Sequence, residues 1–174
     1  TMRSASMYSR IAGYIAGAAE GKKGNYMAFF PSYKMMQEVY ECFLEQAGEI
    51  DAAIQSQNMS EQERESFLSL FENERDRSFV GFCVMGGIFS EGIDLTEDRL
   101  IGAIIVGTGL PQVCNDREIV RRYFEDHGMA GFDYAYLYPG MNKVLQSAGR
   151  VIRTERDRGL ILLLDDRFQQ RQYR

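Results

Sequence analysis

The order of apolar and polar positions predicts alternating helices and strands. SMYSRIAGYIAGAAEG (6–21) sets Ile11, Tyr14, Ile15 and Ala18 three and four residues apart, the spacing of one helical face, with Gly21 suited to end it. NYMAFFP (25–31) is a short apolar run stopped by Pro31, and reads as a buried strand. Ser32 then stands where it can cap a helix over 33–48, with Met36, Val39, Tyr40 and Phe43 on its inner face. AAIQ (52–55) is a weak strand signal. In NMSEQERESFLSLFENER (58–75), Ser60 and Glu63 have the spacing of a capping box ahead of Phe67, Leu68 and Phe71.

Three stronger apolar runs follow: SFVGFCVMGG (78–87), RLIGAIIVGTG (99–109) and GLILLLDD (159–166). Between the last two, 115–128 and 139–153 read as helices. Apolar strands without polar alternation, separated by helices, predict an α/β fold: a mostly parallel central sheet with helices on both faces. Ligand sites in such sheets lie at the carboxyl ends of the strands. Three loops fall there: FPSY, GGIFSEGIDL and GTGLPQ.

The totals narrow the class. With 174 residues, 45% apolar and 26% charged, the chain suits one globular domain spanning 1–174. No apolar run approaches the roughly 20 residues of a membrane span, and the start lacks a signal-peptide core. Thr1 before Met2 suggests that the chain is an excised part of something larger. Cys42, Cys83 and Cys114 are far apart, so neither a disulfide framework nor a metal centre is expected here, and a cytoplasmic location fits reduced thiols. A net charge of −5 argues against general affinity for nucleic acid and leaves room only for a local basic patch.

Several short motifs come close to a function without completing it. GAAEGKKG (17–24) resembles a phosphate-binding loop, but it is one residue short, puts Lys23 where Mg²⁺ needs a hydroxyl, and follows a helix. VGTGLPQ (106–112) lacks the third glycine of a dinucleotide fingerprint. FEDHG (124–128) reads as a solvated helix end, and FDYAYLY (132–138) as aromatic packing ahead of the next helix.

QSAGRVIRTERDRG (146–159) carries Arg150, Arg153, Arg156 and Arg158. On a continuous helix Gln146, Gly149, Arg150 and Arg153 would share one face, and two arginines a turn apart form a double fork for the oxygens of a polyphosphate. Lys143, one turn earlier, adds positive charge. The competing account is a surface helix with arginines paired to Glu155 and Asp157, energetically minor.

Q-S-A-G-R-V-I-R matches Q-x-x-G-R-x-x-R and resembles motif VI of superfamily 2 helicases. The longer string through Phe168 is similar to the DinG/XPD branch. NYMAFFPSY (25–33) resembles that branch's motif IV, and GGIFSEGIDL (86–95) its motif V. The resemblance implies a RecA-like fold: the second motor domain of an ATP-dependent DNA helicase, whose first motor domain, absent from this chain, holds the P-loop and most of the contacts to ATP and Mg²⁺. It implies arginine fingers at Arg150 and Arg153, with Gln146 orienting them, and nucleotide contacts from Gly92, Asp94 and Gly149. Single-stranded DNA would meet Ser32, Tyr33, Ser90 and Glu91. Where the wider superfamily carries a threonine before motif V, this chain has Gly86, so any phosphate contact there would come from backbone amides. Many such enzymes hold an iron–sulfur cluster in the first domain, and none is expected in this segment. Partners would be single-stranded DNA, duplex junctions and the first motor domain, with no membrane. Two alternatives remain: a RecA-like binding module without hydrolysis, and a self-sufficient nucleotide enzyme built on 17–24.

Overall fold

The structure is a computed structural model that describes residues 2–89, 99–152 and 158–173, with side chains from residue 5 onward. In chain order it contains α1 (Met2–Gly21), β1 (Asn25–Phe30), α2 (Tyr33–Leu44), β2 (Asp51–Ile54), α3 (Glu61–Ser69) and β3 (Phe79–Val84). These are followed by β4 (Gly102–Val106), α4 (Asn115–Asp126), a π turn (Asp133–Leu137), α5 (Tyr138–Ala148) and β5 (Leu160–Leu164). Two short 3₁₀ turns end the described chain.

All strand pairs are parallel, in the order β2-β3-β1-β4-β5. β1 is central because every residue from Tyr26 to Phe30 is apolar, so it can be covered on both faces. Its side chains alternate between two cores. Tyr26, Ala28 and Phe30 join Val80, Phe82 and Ile104 beneath α1 and α2. Met27 and Phe29 join Phe67, Phe71, Ile105, Val144 and Val151 beneath α3 and α5. The result is the three-layer α/β architecture expected.

Both serine caps form as predicted. Ser32 Oγ accepts from the Met35 amide at 3.2 Å. Ser60 and Glu63 close a reciprocal box, the Ser60 amide donating to Glu63 at 2.7 Å. Those hydrogen bonds hold the exposed Glu63 carboxyl below its usual range.

Two differences concern the last third of the chain. The helix expected over 139–153 is α5, which starts at Tyr138 and ends at Ala148 with Gly149 as its C-cap. Glycine is a poor helix former, and here the chain tightens: the amides of Arg150 and Val151 reach back only three residues, to Ser147 and Ala148. The aromatic run 132–138 forms the π turn. Pro139 at the start of α5 has no N–H to give, which suits a local change of helical pitch. Its rings pack as expected, Tyr134 stacking on Phe124 of α4 at 4.0 Å and Tyr136 donating to Glu118 at 2.7 Å. α4 has no buried residue and rests mainly on this turn.

Candidate nucleotide and nucleic-acid surfaces

At the carboxyl end of the sheet, β1 runs into Pro31 and Ser32, between the loops that follow β3 and β4. Ser32 takes an extended conformation (φ −157°, ψ 155°), so its hydroxyl oxygen caps α2 while its proton can still be donated outward. The opening amides of α2 lie beside it, and a helix start of this length favours anions. Tyr33 is positioned by a residue that the sequence did not single out. Gln55, buried at the end of β2, donates from Nε2 to the Tyr33 hydroxyl at 3.0 Å and accepts the Val84 amide on Oε1 at 3.0 Å. The only signal was a polar residue ending an otherwise apolar strand.

Beside Ser32, a cleft of about 620 Å³ opens along the ends of β1, β4 and β5, with Arg10, Tyr14, Pro31, Met35, Gly107 and Arg167 on its walls. At its rim Asp165 accepts from the Arg167 amide at 2.9 Å and from its guanidinium at 2.8 and 2.7 Å. Those side-chain bonds hold the Asp165 carboxyl below its ordinary range. Because the folded value is depressed, the pair stabilises the fold above the unfolded aspartate pKa and stops doing so as pH falls through the folded value. Solvent around Arg167 keeps the effect small. We expect the melting temperature of Asp165→Asn to lie below that of the wild type at neutral pH and to converge with it in acid; a constant gap would contradict the pairing.

The arginine-rich segment lies elsewhere. α5 starts near the carboxyl end of β4, where an added Cβ on Gly109 would sit 2.9 Å from the Gly140 carbonyl oxygen. It runs antiparallel to the strands, so its far end reaches their amino ends. There Val151 touches Gly159, just before β5, and the Leu160 amide bonds to the carbonyl of Ile101, just before β4. Arg150, just past that far end, therefore stands toward the side of the sheet opposite Ser32. Its relation to Gln146 is direct: Arg150 Nε donates to the Gln146 carbonyl at 3.3 Å. Gly149, between them, has φ −64°, so its freedom at positive φ is not used. Arg153 lies outside the described residues, as do Ser90, Glu91, Gly92 and Asp94. One face of a continuous helix cannot hold Gln146, Gly149, Arg150 and Arg153 together, because the helix stops before Arg150.

The remaining candidates are quiet. GAAEGKKG begins inside α1 and leads into β1, the reverse of the strand-to-helix order that a P-loop needs. No group of three or more potential metal ligands gathers among the described residues, and none of their helices is long and apolar enough to cross a membrane. Complete burial pushes the Cys83 thiol far above its ordinary pKa, which makes it unreactive.

Residues 15–174 match a family described as the helicase C-terminal domain. The chain is 30% identical over 158 residues to a regulator of telomere elongation helicase 1 homolog of Drosophila grimshawi, covering 82% of this chain and 16% of that protein. It is 23% identical to a probable ATP-dependent helicase of Methanocaldococcus jannaschii, covering 86% of this chain and 24% of the relative. Among solved structures, an apo XPD superposes with a TM-score of 0.78 at 23% identity, covering 97% of this chain and 34% of that one. A second XPD helicase structure gives 0.74 at 22% identity, with 97% and 30% covered.

Proposed function

Since this chain belongs to the helicase C-terminal domain family, as a RecA-like domain of the DinG/XPD type, we propose that it is the second motor domain of an ATP-dependent DNA helicase. The observation that carries this reading is the family match over 15–174, a span that includes the Q-x-x-G-R-x-x-R segment. The chain spans less than a quarter of the first relatives it matches, so the complete activity is assigned to a longer protein.

Two surfaces divide the work. Arg150, at the amino-end side of the sheet, and Arg153 meet the γ-phosphate of an ATP presented by a P-loop domain, with Gln146 orienting them and Gly149 allowing close approach. Gly92 and Asp94 contribute to the nucleotide from the motif V segment. ATP with Mg²⁺ supplies the phosphoryl group, and this chain's share is positive charge where negative charge builds. At the carboxyl ends, Ser32, Tyr33 and the α2 amides receive the backbone of single-stranded DNA, joined by Ser90 and Glu91. Closure on ATP and reopening after hydrolysis would shift the strand, with 5′ to 3′ polarity by analogy with XPD. Duplex junctions are then the natural substrates.

The test compares the 174-residue chain with the longer protein that carries it, each given ATP, Mg²⁺ and single-stranded DNA. We expect no turnover from the chain alone and DNA-stimulated hydrolysis from the longer protein. Sustained turnover by the chain alone would overturn the split-site reading. A longer protein that binds DNA without hydrolysis would instead be the binding module.

A further inference from the structure

We propose that Lys143 is a phosphate-contacting residue of the single-stranded DNA track, held across the end of β1 by two glycines at positive φ. The inference rests on the motor-domain reading above and adds to it a cation that comes from α5 rather than from the loops assigned to DNA.

The geometry starts with the sheet order. β1 lies between β3 and β4, so the loops after β3 and β4 flank the point where Pro31 and Ser32 emerge. Lys143 touches both loops. A Cβ on Gly86, after β3, would sit 3.1 Å from Lys143 Cε and 3.2 Å from Cδ. A Cβ on Gly109, after β4, would lie 3.5 Å from Lys143 Cβ. Gly86 has φ +67° and Gly109 φ +65°, a region that side-chain-bearing residues rarely adopt. The lysine's stem thus spans the gap between two loops in contact with both, its methylenes covering backbone while its charged end is carried outward.

Its backbone is equally placed. Gly140 and Val144 are buried on the same stripe of α5, and Ser147 Oγ donates to the Lys143 carbonyl at 2.8 Å. Lys143 itself is half-buried, and no ion pair to it occurs among the described residues. A partly desolvated ammonium without a carboxylate gains most from an anion brought from outside. The β4 loop that Lys143 meets also holds the Thr108 hydroxyl, 1% exposed and without a hydrogen-bond partner among the described residues.

The anion could be a phosphate of the DNA strand or of ATP. Position favours the strand. Lys143 stands over the end of β1, which leads into Ser32 and Tyr33, whereas Arg150 lies seven residues on, about 10 Å along the helix and beside the strands' amino ends. A strand crossing the carboxyl ends would thus touch Ser32 from one side and Lys143 from the other.

The test uses oligo(dT) binding by the 174-residue chain and by the longer protein, without nucleotide, across a salt series. Lys143→Met keeps the apolar stem over Gly86 and removes only the charge. We expect it to bind roughly tenfold more weakly, the worth of one charge-assisted hydrogen bond, and its log–log salt slope to shrink by about 0.7, the share of one phosphate. Lys143→Arg should recover most of both, and thermal melts should show each variant folded. A folded Lys143→Met with unchanged affinity and slope would overturn the inference and leave the motor reading standing. So would a variant that loses ATP affinity alone. Failure of both wild-type proteins to bind oligo(dT) would sink the DNA-track reading and this inference with it.

Discussion

Arg150→Ala in the longer protein should lower the DNA-stimulated rate of ATP hydrolysis by about 10³-fold or more while ATP still binds. Arginine fingers in phosphoryl transfer contribute on the order of 10³–10⁵ in rate, roughly 4–7 kcal/mol of barrier. A thermal melt separates that outcome from loss of fold. A cation just past the end of a helix stabilises it by only about 0.3–1 kcal/mol, and the bond from Arg150 Nε to the Gln146 carbonyl is solvent-exposed. Arg150→Lys should fail to rescue the rate, because an ammonium cannot reproduce the planar fork that grips two phosphate oxygens. Steady-state kinetics beside nucleotide titration separates the cases. Turnover within a few-fold of wild type would remove Arg150 from the reaction.

Phe82→Ala should produce the largest loss of stability, about 3–5 kcal/mol. Phe82 is fully buried in β3 and is the ring on which three others converge. Phe30 of β1 stacks on it at 5.6 Å, and Tyr40 and Phe43 of α2 meet it edge-on at 5.1 Å each. Truncation therefore empties the joint between the sheet and α2, and neighbours on two different elements cannot collapse into the space at once. Against a total of about 5–15 kcal/mol for an ordinary domain, that is a large share. Phe132→Ala, at a ring 45% exposed, should cost far less. Urea unfolding of the two variants checks the contrast. Equal losses would mean that the rings do not pack as described.

The strands and the serine caps were legible in the sequence because each is a local pattern. An apolar run between turn residues says strand whatever surrounds it, and Ser60 with Glu63 closes a box within four residues. The end of α5 was not legible. Gly149 was expected inside a helix, yet its low helix propensity and the tightened turn at Arg150 end the helix there. Strand order was equally hidden, since a list of strands does not say that β3 crosses to one side of β1 and β4 to the other. Gln55 escaped for the same reason, and Lys143 was legible only as added positive charge one turn before Gln146. Their roles depend on Tyr33, Val84, Gly86 and Gly109, brought together from distant parts of the chain. The motif resemblance pointed to Arg150 and Ser32, but not to their lying toward opposite ends of the strands.

That separation has a mechanical meaning. α5 is a stiff strut pinned along one side by Val144 and Ser147, with Lys143 at its middle and Arg150 just past its foot. If a triphosphate pulls on the foot, the strut transmits the tug to Lys143 without any chain of rearranging side chains between them. Fuel and cargo would then be handled by two points on one lever.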